Sequence, residues 1–134
     1  MTARDPCGVD NFEVELGGEN IGFSEVRGLG CELDHTGTHV DCRANAVTLR
    51  RAFSSDLTLW SWVNGHRSKA TDTRTVRITL MDSLHRPICT WVLQRARPIA
   101  WTGPQLDSMA TGQLAMEELV IAAESIDCEP SQLL

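Results

Sequence analysis

The sequence has no tyrosine, few phenylalanines and no apolar run long enough to cross a membrane. A membrane-spanning helix needs about 20 consecutive apolar residues, and no stretch of this chain approaches that length. The first residues, MTARDPCGVDNF, also lack the apolar segment of a signal peptide. We therefore expect synthesis in the cytoplasm, no membrane span, and an extracellular destination only by another route, such as assembly into a particle.

Basic residues are scarce as well. The chain has 12 Lys and Arg against 18 Asp and Glu, a net charge of −6. Proteins that hold nucleic acid regardless of its sequence neutralise phosphates with clustered Lys and Arg, so the composition argues against that class and suits a surface that repels polyanions. Five cysteines, an odd number without regular spacing, fit reduced thiols acting as small apolar residues better than a disulfide framework.

The length of 134 residues predicts one domain with one core. We expect this domain to span residues 1–134, with flexible ends at 1–8 and 129–134. Alternating apolar and polar residues predict strands at 12–16 and 75–81, at 88–93, and from Val47 to Arg51. Pro98, Gly103 and Pro104 are expected to interrupt regular structure after the last hairpin.

One helix is predicted after the cluster Ser54-Ser55-Asp56, whose side-chain oxygens suit a helix N-terminus. Leu57, Trp60 and Val63 would form its apolar stripe, and Asn64-Gly65 would end it. Trp62 lies about 100° round the helix from Trp60, so both cannot face the same core. Trp62 is therefore a candidate subunit contact, whereas Trp60 is expected in the core, as are Trp91 and Trp101.

The segment GQLAMEELVIAAESI (112–126) is ambiguous, because Ala, Met, Glu and Leu favour a helix while Leu119-Val120-Ile121 favours a strand. Propensity alone slightly favours the helix. The adjacent pair Arg50-Arg51 suggests ion-paired residues in a subunit interface, and since neighbouring strand residues point to opposite faces, at most one of the two can face a lumen.

Four segments together resemble the tail-tube protein family of contractile phages, which also supplies the inner tubes of extracellular contractile injection systems. They are IGFSEVRGLG (21–30), VTLRRAFSSDLTLWSWVNG (47–65), ITLMD (78–82) and RARPIAWTGPQLDSMATGQLAMEELVIAAESI (95–126). They occur in the family's order and spacing, and the resemblance covers about residues 5–126. Type VI secretion tube proteins are similar in fold.

The resemblance implies a mainly β fold: an antiparallel β-sandwich or barrel with one flanking α-helix. Six copies would close a continuous barrel across a hexameric ring, and rings would stack into a tube. It assigns Glu117, Leu119 and Ile121 to a strand, against the propensity of that segment. No catalysis and no cofactor are implied. The expected partners are other copies of the chain, a sheath protein, baseplate or spike proteins, cap proteins, and cargo protein or DNA in the lumen. Candidate interface residues are Arg50, Arg51, Trp62 and Glu117.

The run HTGTHVDC (35–42) departs from the family, which has a longer excursion between Gly30 and Val47 that reaches a neighbouring subunit or ring. HTGTHVD also resembles the metal-binding run of cyclase or formamidase-type hydrolases, in which His35, His39 and Asp41 would hold an ion that activates water. A structural metal held by Cys31, His35, His39 and Cys42 is a second alternative. The favoured interpretation is a polar interface or solvent loop without metal. A tube-capping or adaptor protein of the same fold also remains an alternative.

Overall fold

The computed structural model describes residues 7–131. Within this range the chain forms strands and one helix in the order β1 (Phe12–Leu16), β2 (Glu19–Ile21), β3 (Glu25–Arg27), β4 (Cys31–Thr36), β5 (His39–Ala44), β6 (Val47–Ala52), α1 (Thr58–Ser68), β7 (Arg74–Met81), β8 (Pro87–Thr102), β9 (Met116–Ala122) and β10 (Ser125–Pro130). The predicted flexible ends fall outside the described residues at 1–6 and 132–134. Residues 129 and 130, which belong to the predicted C-terminal end, pair with β8 as part of β10.

An eight-stranded antiparallel sheet dominates the fold, with strand order β2-β1-β7-β8-β9-β6-β3 and with β10 also pairing with β8. Strand β8 is 16 residues long. Its first half lies between β7 and β10, and its second half pairs with β9. Because β8 belongs to both halves of the sheet, it brings them over one shared core. The mainly β, antiparallel fold with one helix is confirmed.

Core residues come from both halves of the sheet and from the helix. Leu16 and Leu93 from the first half pack in the same cluster as Leu49 and Leu119 from the second half, and all four are buried. In β9 the buried residues alternate with partly exposed ones. This period of two is the period of a strand and not of a helix, and it turns alternate side chains of residues 116–122 toward the core. The strand assigned from the resemblance is thus correct.

Strand β8 extends further than the sequence predicts. Pro98 was expected to interrupt regular structure, yet the strand continues through it to Thr102. The pairing with β9 shifts register between Pro98 and Ala100. A proline, which has no N–H to donate, is tolerated at such an irregularity. The described structure therefore keeps the residue inside the strand without an unpaired donor.

The helix α1 lies at the predicted place but buries a different face. The Asp56 carboxylate accepts a hydrogen bond from the Thr58 backbone N–H at 3.1 Å, as the predicted N-terminal cluster suggests. The helix continues past Asn64-Gly65 to Ser68, and its buried residues are Leu59 and Trp62. These two residues each lie one position before Trp60 and Val63 of the predicted stripe, so the buried face is rotated from the prediction by about 100°. In the described part of the chain, no helix combines the length and apolar character that crossing a membrane requires.

Candidate assembly surfaces

Strands β4 and β5 form a separate two-stranded hairpin whose two faces differ in chemistry. The register pairs Leu33 with Cys42 and His35 with Val40, and directly opposed residues share a face. One face therefore carries Cys31, Leu33, His35, Val40, Cys42 and Ala44, and the other carries Glu32, Asp34, Thr36, His39, Asp41 and Arg43. Leu33 and Val40 are 61% and 48% exposed, so the more apolar face is largely uncovered by its own protomer.

This register separates the proposed metal ligands. His39 lies on the charged face, where its Nε2 is 2.8 Å from Asp41 Oδ1, whereas His35 lies on the apolar face. His35, His39 and Asp41 therefore do not converge, and the hydrolase alternative is not supported. In the four-residue alternative, Cys31, His35 and Cys42 share one face and His39 occupies the other. Within residues 7–131, no group of three or more His, Cys, Asp or Glu side chains could hold a metal ion.

A buried polar network ties β6, β9 and β8 to the segment before the helix. Arg51 Nε donates to Glu117 Oε2 at 2.8 Å, and Trp101 Nε1 donates to Glu117 Oε1 at 3.0 Å. The Arg51 guanidinium also donates to the Asp56 backbone carbonyl at 2.9 Å. Both carboxylate oxygens of Glu117 are thus used, and the buried charge is paired, as burial of a charge requires.

Three of the four predicted interface residues lie inside the protomer. Trp62 is 0% exposed, Glu117 2% and Arg51 7%. Trp62 packs in the core, and its indole N–H donates to the Asp72 carbonyl at 3.3 Å. Trp60, which was expected in the core, instead lies half-buried beside Trp101 at 5.1 Å between ring centroids. Trp62, Glu117 and Arg51 therefore make their contacts within their own chain.

Arg50 is the predicted interface residue that remains accessible. As strand geometry requires, it points to the face opposite Arg51. Its Nε is 3.5 Å from Glu118 Oε1, and the same carboxylate oxygen is 3.4 Å from Arg27 Nη2. Arg27 also pairs with Glu25 at 2.7 Å. The outer face of β3, β6 and β9 thus carries an exposed row of alternating charges, which is available to another molecule.

The loop 103–115 between β8 and β9 presents apolar side chains that the sequence patterns did not predict as a surface. Leu106 is 85% exposed, Met109 86% and Leu114 76%. A cleft of about 800 Å³ separates this loop from Arg50 and Glu118. In the sequence, these apolar residues follow neither a helical nor a strand period, and they lie among Gly and polar residues. Such a pattern does not show whether the apolar side chains lie in the core or on a contact surface.

In the described part of the chain, β2 and β3 end the order of the large sheet, and β10 pairs with β8 on one side. Each strand of the separate β4–β5 hairpin also has one unpaired edge. Unpaired edges offer rows of backbone N–H and C=O groups that another strand can pair with. The sheet, the hairpin and the loop 103–115 therefore all present surfaces suited to protein–protein contact, whereas the candidate ligands of HTGTHVDC are divided between two faces.

The sequence model described as T4-like virus tail tube protein gp19 matches residues 10–127. A search of curated proteins finds no match. Among solved structures, the chain is similar to the anti-feeding prophage cap (AFP tube terminating cap), with a TM-score of 0.85, 20% identity, and 98% of this chain and 95% of that chain covered. It is also similar to a chain of the PVC sheath-tube complex of an extracellular contractile injection system (TM-score 0.81, 22% identity, 94% and 93% covered). Hcp1 from Flavobacterium johnsoniae shares the fold at a TM-score of 0.64 and 10% identity, with 91% and 97% covered.

Proposed function

This chain belongs to the T4-like virus tail tube protein gp19 family, and we propose that it is the repeating protomer of the inner tube in a contractile tail or injection particle. Six copies form a ring, rings stack along one axis, and the lumen conducts cargo protein or DNA. The protein acts as a structural component rather than as an enzyme. The observation that carries the proposal is the family match over residues 10–127.

Closure of the ring is supported by the unpaired edges of β2, β3 and β10. A sheet that continues from one protomer to the next satisfies these edges and removes sites for uncontrolled pairing. Head-to-tail contacts of this kind close when the rotation between copies divides a full turn. The contacts between stacked rings do not close on themselves. Their repetition along the axis therefore builds a tube.

The β4–β5 hairpin supports contact between protomers. An isolated two-stranded hairpin is marginally stable in water and needs packing on one face. Here residues 31–43 are exposed, and Leu33 and Val40 present apolar surface that their own chain covers only in part. We propose that a neighbouring protomer covers this face. The short hairpin would then do the work of the longer excursion that the resemblance led us to expect.

A sheath protein, baseplate or spike proteins and a cap are the proposed partners. The solved structures of similar fold include chains from a sheath-tube complex, a baseplate and a cap. The net charge of −6 suits a conduit whose wall does not retain polyanions. Assembly into a particle also accounts for the exposed apolar side chains of the hairpin and of the loop 103–115.

Electron microscopy of the purified protein, alone and mixed with its sheath protein, tests the proposal. Stacked sixfold rings with a lumen are the expected result. A single ring that binds only the end of a tube would assign the chain to the cap or adaptor role instead. A monomer under all conditions, including with sheath protein and baseplate present, would contradict both roles.

A pair of variants tests the hairpin contact. Leu33→Glu with Val40→Glu places two charges on the apolar face, and we expect loss of rings and tubes. The matched control, Thr36→Glu with His39→Glu, places two charges on the other face of the same strands and should retain assembly. Because the hairpin is exposed in the protomer, both variants should keep the wild-type circular dichroism and Tm of the monomer. Equal assembly by the two variants would contradict this contact.

A further inference from the structure

Cys89 and Cys128 bring their thiols together across the pairing of β8 and β10. The register places Cys128 opposite Trp91 and Cys89 opposite Pro130. Cys89 and Trp91 lie two residues apart on one face of β8, so the two thiols are diagonal neighbours on the same face. Their Sγ atoms are 3.3 Å apart. Sequence separation hides this contact, because the two residues lie 39 positions apart.

We propose that Cys89 and Cys128 form an intramolecular disulfide when the protein meets a low-molecular-weight disulfide, and that this bond fastens the last strand to the sheet. A disulfide has an S–S length of about 2.05 Å, so the sulfurs must approach by only roughly 1.3 Å from their present separation. Side-chain rotation and a small shift of the outer strand supply that distance. Both thiols are free in the structure.

The reaction is a two-step exchange. The exposed Cys128 thiolate attacks one sulfur of the small disulfide, forms a mixed disulfide and releases one small thiolate. The Cys89 thiol then loses its proton to solvent, and its sulfur attacks Cys128 Sγ and releases the second small thiol. Two protein thiols are oxidised, and the small disulfide is reduced to two thiols.

Two features make the pair suitable for oxidation at a controlled rate. Cys128 is exposed and therefore reachable, whereas Cys89 is half-buried. Burial, followed by the contact with Cys128, raises the pKa of the Cys89 thiol to about 11. Since the thiolate is the nucleophile, the second step accelerates as pH rises.

The bond would stabilise the fold by closing a loop. Its ends are 39 residues apart, and cross-links of that span restrict the unfolded chain substantially. For a domain of this size the expected rise in Tm is about 10 °C. The effect should reside in β10, which is the last described strand and which pairs with β8 alone in the described part of the chain.

The test is to equilibrate the full-length protein with oxidised glutathione, block remaining thiols with an alkylating agent, and map the peptides by mass spectrometry. We expect a cross-linked peptide pair containing Cys89 and Cys128 from one chain, together with the rise in Tm. Cys128→Ser, at an exposed position, should abolish both. As matched controls, Cys7→Ser and the double variant Cys31→Ser with Cys42→Ser should retain both.

Cys7 is the main competitor, because it lies near enough to Cys89 to contribute to the raised pKa. A Cys89 peptide that remains alkylated after prolonged incubation would overturn the proposal. So would a cross-link from Cys89 to Cys7, or one that joins two chains. Peptide mapping of the wild-type protein separates these outcomes even if a cysteine variant fails to fold.

Discussion

Replacement of Glu117 by alanine should destabilise the protomer far more than replacement of its neighbour Glu118. Glu117 is 2% exposed and binds Arg51 and Trp101. Removing the carboxylate leaves the Arg51 guanidinium buried without its closest charge partner and leaves the Trp101 N–H without an acceptor. Breaking a buried ion pair from one side typically costs about 3–5 kcal/mol.

This cost is large relative to the total free energy of unfolding of a domain. Domains are stable by about 5–15 kcal/mol, so a loss of about 3–5 kcal/mol in Glu117→Ala would remove roughly a fifth of that margin or more. Glu118 carries the same charge one position further along the strand, but its side chain is 34% exposed and its pairs with Arg50 and Arg27 are longer. Exposed pairs contribute about 0–1 kcal/mol, so Glu118→Ala is the matched control.

Urea denaturation at a concentration where the chain is monomeric measures the difference. With a denaturant slope of about 2 kcal/mol/M, the midpoint should fall by about 2 M for Glu117→Ala and by less than about 0.5 M for Glu118→Ala. A double variant, Arg51→Met with Glu117→Met, should be more stable than Glu117→Ala, because no charge is left unpaired. Equal midpoints for the two alanine variants, or a double variant less stable than the single one, would refute the reasoning.

Two further predictions concern turns. Gly28 has φ of 96°, and an added Cβ would run into the Ala46 carbonyl oxygen, so Gly28→Ala should lower the free energy of unfolding by more than the backbone strain of about 1–3 kcal/mol. The control is Gly18→Ala, at φ of 90° with no atom within 4 Å of an added Cβ, because it introduces the backbone strain without a clash. If the two variants lose the same free energy of unfolding, the clash at Gly28 is contradicted. Hydrogen bonding from the Arg86 backbone N–H lowers the pKa of Asp82, so Asp82 contributes stability above its unfolded pKa of about 3.9 that is lost as pH falls through its lower folded value. The stability gap between wild type and Asp82→Asn should therefore narrow below about pH 4 in urea titrations, and a gap independent of pH would contradict this role.

Local periodicity predicted the parts of the fold that depend on neighbouring residues. The alternation at 12–16 and 75–81 was sufficient to place β1 and β7 and their buried faces. For residues 116–122, composition favoured a helix, and only the resemblance to tail-tube proteins led to the strand that the structure contains. Helix propensity is a weak preference, and packing of alternate side chains on the core overrides it.

The candidate site was less predictable. The Arg50-Arg51 pair showed that the two side chains point apart, but not which of them enters the core. That choice depends on β9, whose register sets Arg51 opposite Glu117 and Arg50 opposite Glu118. Likewise, an apolar helical stripe with a spacing of three residues fits Leu57 and Trp60 as well as Leu59 and Trp62. Only the position of the sheet decides which stripe is buried.

The sequence by itself determined the family, through segments in a characteristic order along the chain, and the places of β1, β7 and helix α1, because strand and helix periodicity depends on residues within a few positions of one another. The tertiary structure alone decided which residues meet across strands. It divided HTGTHVDC between the two faces of a hairpin, enclosed Glu117 and Trp62, and brought Cys89 to Cys128. Strand register couples positions far apart in the chain, and a shift of one residue would send a strand side chain such as Glu117 or Cys128 to the opposite face.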